Sequence, residues 1–413
     1  MRTTSLAAVA LLGAALLAPV GTATAAGETC QGQAATIVGM PEGQITGTEG
    51  ADVIVTNDAI RVDALGGDDL VCATGERRGY HSVTAILGAG ADTFIPSKRG
   101  GATIYTINAG TVDGTDTEAD VIRSIGYDVV ISGMAGQPNA DIIDLAYGDV
   151  SWSGIQTAPG AVSGDTGGYG ILSVRSANGD VTMDASGTVT GADTKLTWTG
   201  QFAWLGFTTS AKYGRFTFRG TDVTEHIKVN APTTYDRDIA LGGGYDSYES
   251  NSLGGKATRI KGGDGRNQLL LDLNSHDRVR ADLSRSRVTA TKAGVEESIR
   301  VRGFDNLIVS AKRADVIGTN RANAIIVIAC RTTIKGEKGR DGIDVELRYG
   351  NTWTTPRCGK YRATIYGGPG NDTINGSIGN DRLIGGPGRD LVRGRDGRDV
   401  CQGERVRDCE KRI

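Results

Sequence analysis

Aromatic residues are scarce in this chain, 5% of 413; proline occurs nine times and histidine three times. Each shortage excludes something. Nine prolines and no Gly-x-y period rule out a collagen or a proline-rich tail. The basic residues have no aromatics interleaved with them, so nucleic acid is not an expected partner. His81, His226 and His276 stand alone, with no H-E-x-x-H and no C-x-x-C, which removes the common zinc sites. These histidines are expected on surface strands or loops. No G-x-S-x-G elbow occurs either. After residue 20 no window holds an apolar 3.6-residue period, and the longest apolar run is Ala324 to Ala329. Helices and a transmembrane segment in the mature chain are therefore not expected.

Glycine is abundant instead, 62 residues, roughly twice the usual ~7%. Short Val, Ile and Thr runs alternate with Gly, Asn and Asp clusters, the pattern of an all-β chain with many tight turns. The first residues read as an address. Met1 to Ser5 carry one Arg, Leu6 to Val20 are apolar, and Ala23-Thr24-Ala25 is small, which predicts a signal peptide over 1–26 and an extracellular protein. In an oxidising compartment the six cysteines predict three disulfides. Proximity favours Cys30 with Cys72, Cys330 with Cys358, and Cys401 with Cys409.

Charge is unevenly spread. Residues 27–160 hold 18 acidic and six basic groups, whereas 161–413 hold 30 and 38. A basic half of this kind suits an anionic polymer, such as a cell-surface polysaccharide.

Residues 367–402 divide without a gap into GGPGNDTIN, GSIGNDRLI, GGPGRDLVR and GRDGRDVCQ. Asp372, Asp381, Asp390 and Asp399 stand nine apart, and so do Gly370, Gly379, Gly388 and Gly397. The apolar slot holds Ile374, Leu383, Val392 and Cys401. Six glycine-rich residues suit a tight turn, and the next three suit a short strand with one inward side chain. Two nonapeptides then complete a coil, and turns from alternate repeats stack on one side. This pairs Asp372 with Asp390 and Asp381 with Asp399. Carboxylates and unobstructed carbonyl oxygens in such turns form an all-oxygen cage for a hard cation such as Ca²⁺.

The motif resembles the haemolysin-type, or repeats-in-toxin, calcium-binding nonapeptide G-G-x-G-x-D-x-U-x. That resemblance implies a right-handed parallel β-solenoid with a C-terminal β-roll, and Ca²⁺ as its cofactor. It assigns metal binding to Gly368, Gly370, Asp372, Gly379, Asp381, Gly386, Gly388, Asp390, Gly397 and Asp399. Ser377 and Arg395 replace the second glycine in two repeats, and Arg389, Arg393, Arg395 and Arg398 crowd the last two turns with guanidinium groups that compete with a metal. Weaker copies at 47–55, 66–72 and 336–344 add Asp52, Asp69 and Asp341. Residues 299–326 resemble the connecting coils that precede such repeats.

The expected organisation is a degenerate solenoid over 27–149, a β-rich segment over 150–235 that is either more solenoid or an inserted domain, a second degenerate solenoid over 236–359, and the repeats over 360–413. The functional expectation is a secreted calcium-binding protein with a surface-structural or adhesive role and no catalytic residue. The alternative is a carbohydrate-active solenoid, lyase-like or epimerase-like, with Asp141 and Asp144 or Asp236 and Asp238 as its carboxylate pair.

Overall fold

A computed structural model describes residues 27–75, 80–96, 102–111, 116–164, 169–347, 350, 353 and 356–413. The signal peptide expected over 1–26 lies outside them. Among the described residues there is no helix, and none is long and apolar enough to cross a membrane.

Short strands pair in parallel with the second strand along the chain, not with the next one. One N-terminal ladder runs through Ile37–Val38, Val53–Val55, Leu70–Cys72, Thr93–Ile95, Val121–Ser124 and Ile142–Leu145. The other runs through Gln44–Thr46, Arg61–Asp63, Tyr80–Ile86, Ala102–Ala109 and Val129–Ser132. At the C-terminus the same alternation links Gly342–Val345, Thr373–Asn375, Leu391–Arg393 and Arg405–Arg407. Its counterpart links Arg362–Tyr366, Arg382–Ile384, Val400–Gln402 and Lys411–Arg412. The strands within the nonapeptides are three residues long, as their six-plus-three division requires. Ile374, Leu383, Val392 and Cys401 are fully buried between the ladders. Each such aliphatic side chain contributes ~1.5–3 kcal/mol of burial, and a single coil has no second surface to supply it.

Parallel pairing continues across 150–235, through Asp149–Trp152, Ile171–Ser176, Trp204–Thr209 and His226–Asn230. Antiparallel excursions interrupt it twice: Val181–Asp184 with Thr188–Gly191 and Thr194–Thr199, and Arg278–Asp282 with Arg287–Lys292 and Val295–Arg302. The alternating patterns there are equally compatible with parallel or antiparallel neighbours, because both present side chains with period two.

The three expected disulfides are formed, with sequence separations of 42, 28 and 8 residues. Cys330–Cys358 anchors the segment that carries Trp353, which packs with Leu270, Ile308 and Ile328 in a small second core outside the main one. His276 corrects a sequence expectation. It is buried, not on the surface, in a turn that its main-chain N–H closes on the Leu273 carbonyl, beside the second excursion, where the Asp277 N–H bonds the Thr291 carbonyl.

Candidate metal centre

The aspartates of the repeats sit at the ends of short strands, where the chain turns inward and the main-chain N–H of one coil meets the carboxylate of the next. Asp341 N–H donates to Asp372 Oδ1 at 2.8 Å, Asp372 N–H to Asp390 Oδ1 at 2.9 Å, and Asp390 N–H to Glu404 Oε2 at 2.7 Å. On the other side Ala363 N–H donates to Asp381 Oδ1 at 2.5 Å, Asp381 N–H to Asp399 Oδ1 at 2.8 Å, and Asp399 N–H to Glu410 Oε2 at 2.6 Å. The same-side pairing expected from the nine-residue step is therefore present. Glu404 and Glu410 extend both rows, and the repeat pattern does not reveal them because they fall outside its register.

All five aspartates are buried. Asp341, Asp372, Asp390 and Asp399 each leave Oδ2 without a hydrogen-bond partner. Such an oxygen costs roughly 1–3 kcal/mol, more when charged, unless something satisfies it. Burial, with the neighbouring carboxylates adding to it, pushes Asp341 and Asp399 up to about 6. Burial raises Asp372, Asp381 and Asp390 as well.

Asp381 differs because of the residue four positions before it. Ser377 Oγ lies 2.9 Å from both carboxylate oxygens, and its N–H reaches Oδ2 at 2.5 Å. Related contacts recur: Thr48 gives Asp52 both its N–H and its hydroxyl, Ser124 gives Asp128 its hydroxyl, and Thr319 gives the Asn323 amide oxygen its N–H while its Oγ1 accepts from the side-chain amide. None of these hydroxyl residues has a positive φ. Where a carboxylate of the C-terminal rows stays open, the residue four positions earlier is left-handed: Glu337 (φ 71°), Gly368 (110°), Gly386 (111°) and Arg395 (73°). The turn thus has two forms. In one a hydroxyl and an N–H close the carboxylate; in the other the peptide is turned away and Oδ2 is bare.

Close stacking accounts for the third glycine of the motif. A Cβ at Gly388 would collide with the Gly370 carbonyl oxygen, and φ at Gly388 is 153°. Carbonyl oxygens of successive turns therefore lie directly beneath the next coil. Gly379 and Gly397 stack likewise on the other side.

The arginine expectation needs correcting at Arg395. Its guanidinium donates to Asp344 Oδ1 at 2.7 Å, the Val345 carbonyl at 2.7 Å and Glu346 Oε1 at 3.0 Å, away from the Asp399 carboxylate. Asp52 also differs from a ligand with free oxygens. Thr36 occupies its Oδ1, and Thr48 occupies its Oδ2. Asp69 accepts the Asp52 N–H at 2.7 Å and keeps Oδ2 bare.

The carboxylate pairs considered for catalysis are engaged elsewhere. Asp141 is buried on Ser132, whereas Asp144 accepts the Ser163 hydroxyl. Asp236 and Asp238 face Arg215 and Arg219. Among the described residues no three His, Cys, Asp or Glu side chains converge as a metal cluster. Any cation here would rely on carboxylate pairs and carbonyl oxygens.

A stack of nonapeptide turns with buried carboxylates is the arrangement of haemolysin-type repeats. Residues 364–405 match the family model of the RTX calcium-binding nonapeptide repeat in four copies, so over that span the chain consists of haemolysin-type repeats. No curated protein matches the chain.

Proposed function

We propose that this is a secreted calcium-binding protein, a right-handed parallel β-solenoid ending in a β-roll over 360–413, with an adhesive or surface-structural role. The observation that carries the reading is the run Asp341, Asp372, Asp390, three successive buried carboxylates each with a bare Oδ2. Bound Ca²⁺ would supply the positive charge that this row lacks. Asp372 and Asp390, with the carbonyl oxygens stacked at Gly370 and Gly388, would hold it on one side. Asp381 and Asp399 offer a weaker cage, because Ser377 already satisfies Asp381. Asp52 is left out of the ligand set for the same reason.

Calorimetric calcium titration of Asp390→Asn and Asp381→Asn tests this. The first should weaken binding by about tenfold or more, since ligand charge sets affinity in all-oxygen sites. The second should change it little. Equal effects, or no calcium isotherm in the parent protein, would remove the calcium function.

The adhesive part of the reading rests on arginines. Arg287, Arg300 and Arg259 are direct cross-strand neighbours on three adjoining strands, and all are exposed. Like charges in register repel. Arg215, Arg219 and Arg278 have carboxylate partners, but these three have none among the described residues. Arg285, Arg302 and Lys256 line the same shallow groove. An anionic polysaccharide suits such a groove.

A further inference from the structure

A second row of carboxylates runs along the N-terminal part of the chain, far from residues 364–405. Asp52 N–H donates to Asp69 Oδ1 at 2.7 Å, Asp69 N–H to Asp92 Oδ1 at 2.8 Å, Asp92 N–H to Asp120 Oδ1 at 2.9 Å, and Asp120 N–H to Asp141 Oδ1 at 3.1 Å. Asp69, Asp92 and Asp120 are 2%, 0% and 1% exposed. Each leaves Oδ2 without a partner.

The row is closed at both ends and open in the middle. Thr36 and Thr48 occupy Asp52, and Ser132 Oγ donates to Asp141 Oδ2 at 2.6 Å. No hydroxyl among the described residues closes the Oδ2 of the three between them. Leu65 and Gly88, four positions before Asp69 and Asp92, are left-handed at φ 72° and 105°, the form found before the open carboxylates of the C-terminal repeats. A Cβ at Gly90 would collide with the Gly67 carbonyl oxygen, so carbonyl oxygens are stacked here too. Among the described residues the charged groups that act on the three are carboxylates: Asp52, Asp68, Asp116 and Asp141, besides one another. No Lys or Arg among the described residues neutralises them.

We propose that Asp69, Asp92 and Asp120 form a second cation row, holding Ca²⁺ or a similarly hard divalent ion in the gaps Asp69–Asp92 and Asp92–Asp120. Three unpaired carboxylates in a dry row need positive charge, and two intervening divalent ions would supply it with oxygen ligands alone. The sequence steps of 23 and 28 residues fit no nonapeptide period. The proposal does not depend on the C-terminal repeats.

Hydrogen exchange of the full chain, in calcium and in EGTA, reads the two rows separately. Calcium at ten times Kd should slow exchange about tenfold in Leu70–Cys72, Thr93–Ile95 and Val121–Ser124. Asp92→Asn should abolish that slowing there and leave it at Thr373–Asn375 and Leu391–Arg393. Asp390→Asn should do the reverse, and Asp52→Asn should leave the N-terminal response intact. Asp120→Asn serves if Asp92→Asn does not fold, with loss of the response again expected. No calcium response in the three N-terminal strands overturns the proposal, whether or not the C-terminal strands respond. So does a response that acidification in EGTA reproduces in full, because protons would then satisfy the row.

Discussion

Ser377→Gly tests whether one hydroxyl decides between a closed turn and a cation-requiring one. Ser377 gives the buried Asp381 carboxylate its hydroxyl and its N–H, and its Oγ also accepts the Gly379 N–H at 3.0 Å. Removing a hydrogen bond to a charged group costs roughly 1.5–3 kcal/mol. The added backbone freedom of glycine costs about 0.5–1 kcal/mol more. Without calcium the variant should therefore lose about 2–4 kcal/mol at this turn.

With calcium the sign of the argument changes. Glycine at 377 gains the left-handed conformation that Gly368 and Gly386 adopt at φ 110° and 111°. Asp381 Oδ2 then becomes available opposite Asp399, whose own Oδ2 is already bare. An ion at 100 times its Kd returns about 2.7 kcal/mol, enough to offset most of the loss. Thermal unfolding in EGTA and in excess calcium, with calorimetric stoichiometry, is the assay. The expected result is a lowered Tm in EGTA, a Tm near the parent's in calcium, and one additional bound ion. A Tm deficit of the same size in both conditions, with unchanged stoichiometry, would refute the idea that this position selects the turn's form.

Two further predictions concern the buried acids and the arginine groove. Burial first, and neighbouring carboxylates next, push Asp69 up to about 6 and Asp92 up to about 7; Asp341 and Asp399 rise to about 6. Their folded values lie above the unfolded one, so the stability they contribute is full below about pH 4 and is lost as pH rises through 6–7, by up to about 1.4 kcal/mol per unit for each group. Between pH 4.5 and 8 the Tm in EGTA should fall with pH, and calcium should flatten the curve; a Tm that rises with pH in EGTA contradicts this. Retention on immobilised heparin should drop in Arg300→Gln and vanish near 1 M salt, where screening shortens to ~3 Å. Retention unaffected by salt, or by this substitution, would exclude the groove as an electrostatic site.

The C-terminal site was legible because its coils have constant length. A nine-residue step puts Asp372 with Asp390 and Asp381 with Asp399, and the strands pair with that register. Upstream, the coils differ in length, so Asp92 and Asp120 carry no period that would join them to Asp69. Hydroxyl closure was hidden for another reason. Ser377 reads as a missing glycine, and only the folded turn brings its side chain back onto Asp381, four residues on. Arg395 was misleading in the opposite sense: its neighbours in sequence are repeat residues, while its ion-pair partners, Asp344 and Glu346, lie about fifty positions away. The disulfides could be read from proximity because each closes its own loop.

The order of closed and open turns gives the rows a direction. The N-terminal row begins at Asp52 with Thr48, and the C-terminal one at Asn323 with Thr319. Another begins at Glu225, whose Oε1 accepts the Thr221 N–H at 2.9 Å, and continues to Asp246 and Asn267. In each case protein groups reach the first side chain, and bare carboxylate oxygens follow it: three in the N-terminal row and those of Asp341, Asp372 and Asp390 in the C-terminal one, whereas in the middle Glu225 itself keeps a bare Oε2 and Asp246 a bare Oδ2. A coil of a repeat array is stabilised mainly by its neighbour. A closed first turn supplies that neighbour without a cation, whereas each later coil adds an uncompensated buried carboxylate until an ion arrives. Asn267 ends the middle row with a neutral amide bonded to the Gly303 carbonyl at 2.9 Å, so Asp246 has no second carboxylate ahead of it. The ion dependence of the fold should therefore be greatest in the terminal rows, where three bare carboxylates follow one another.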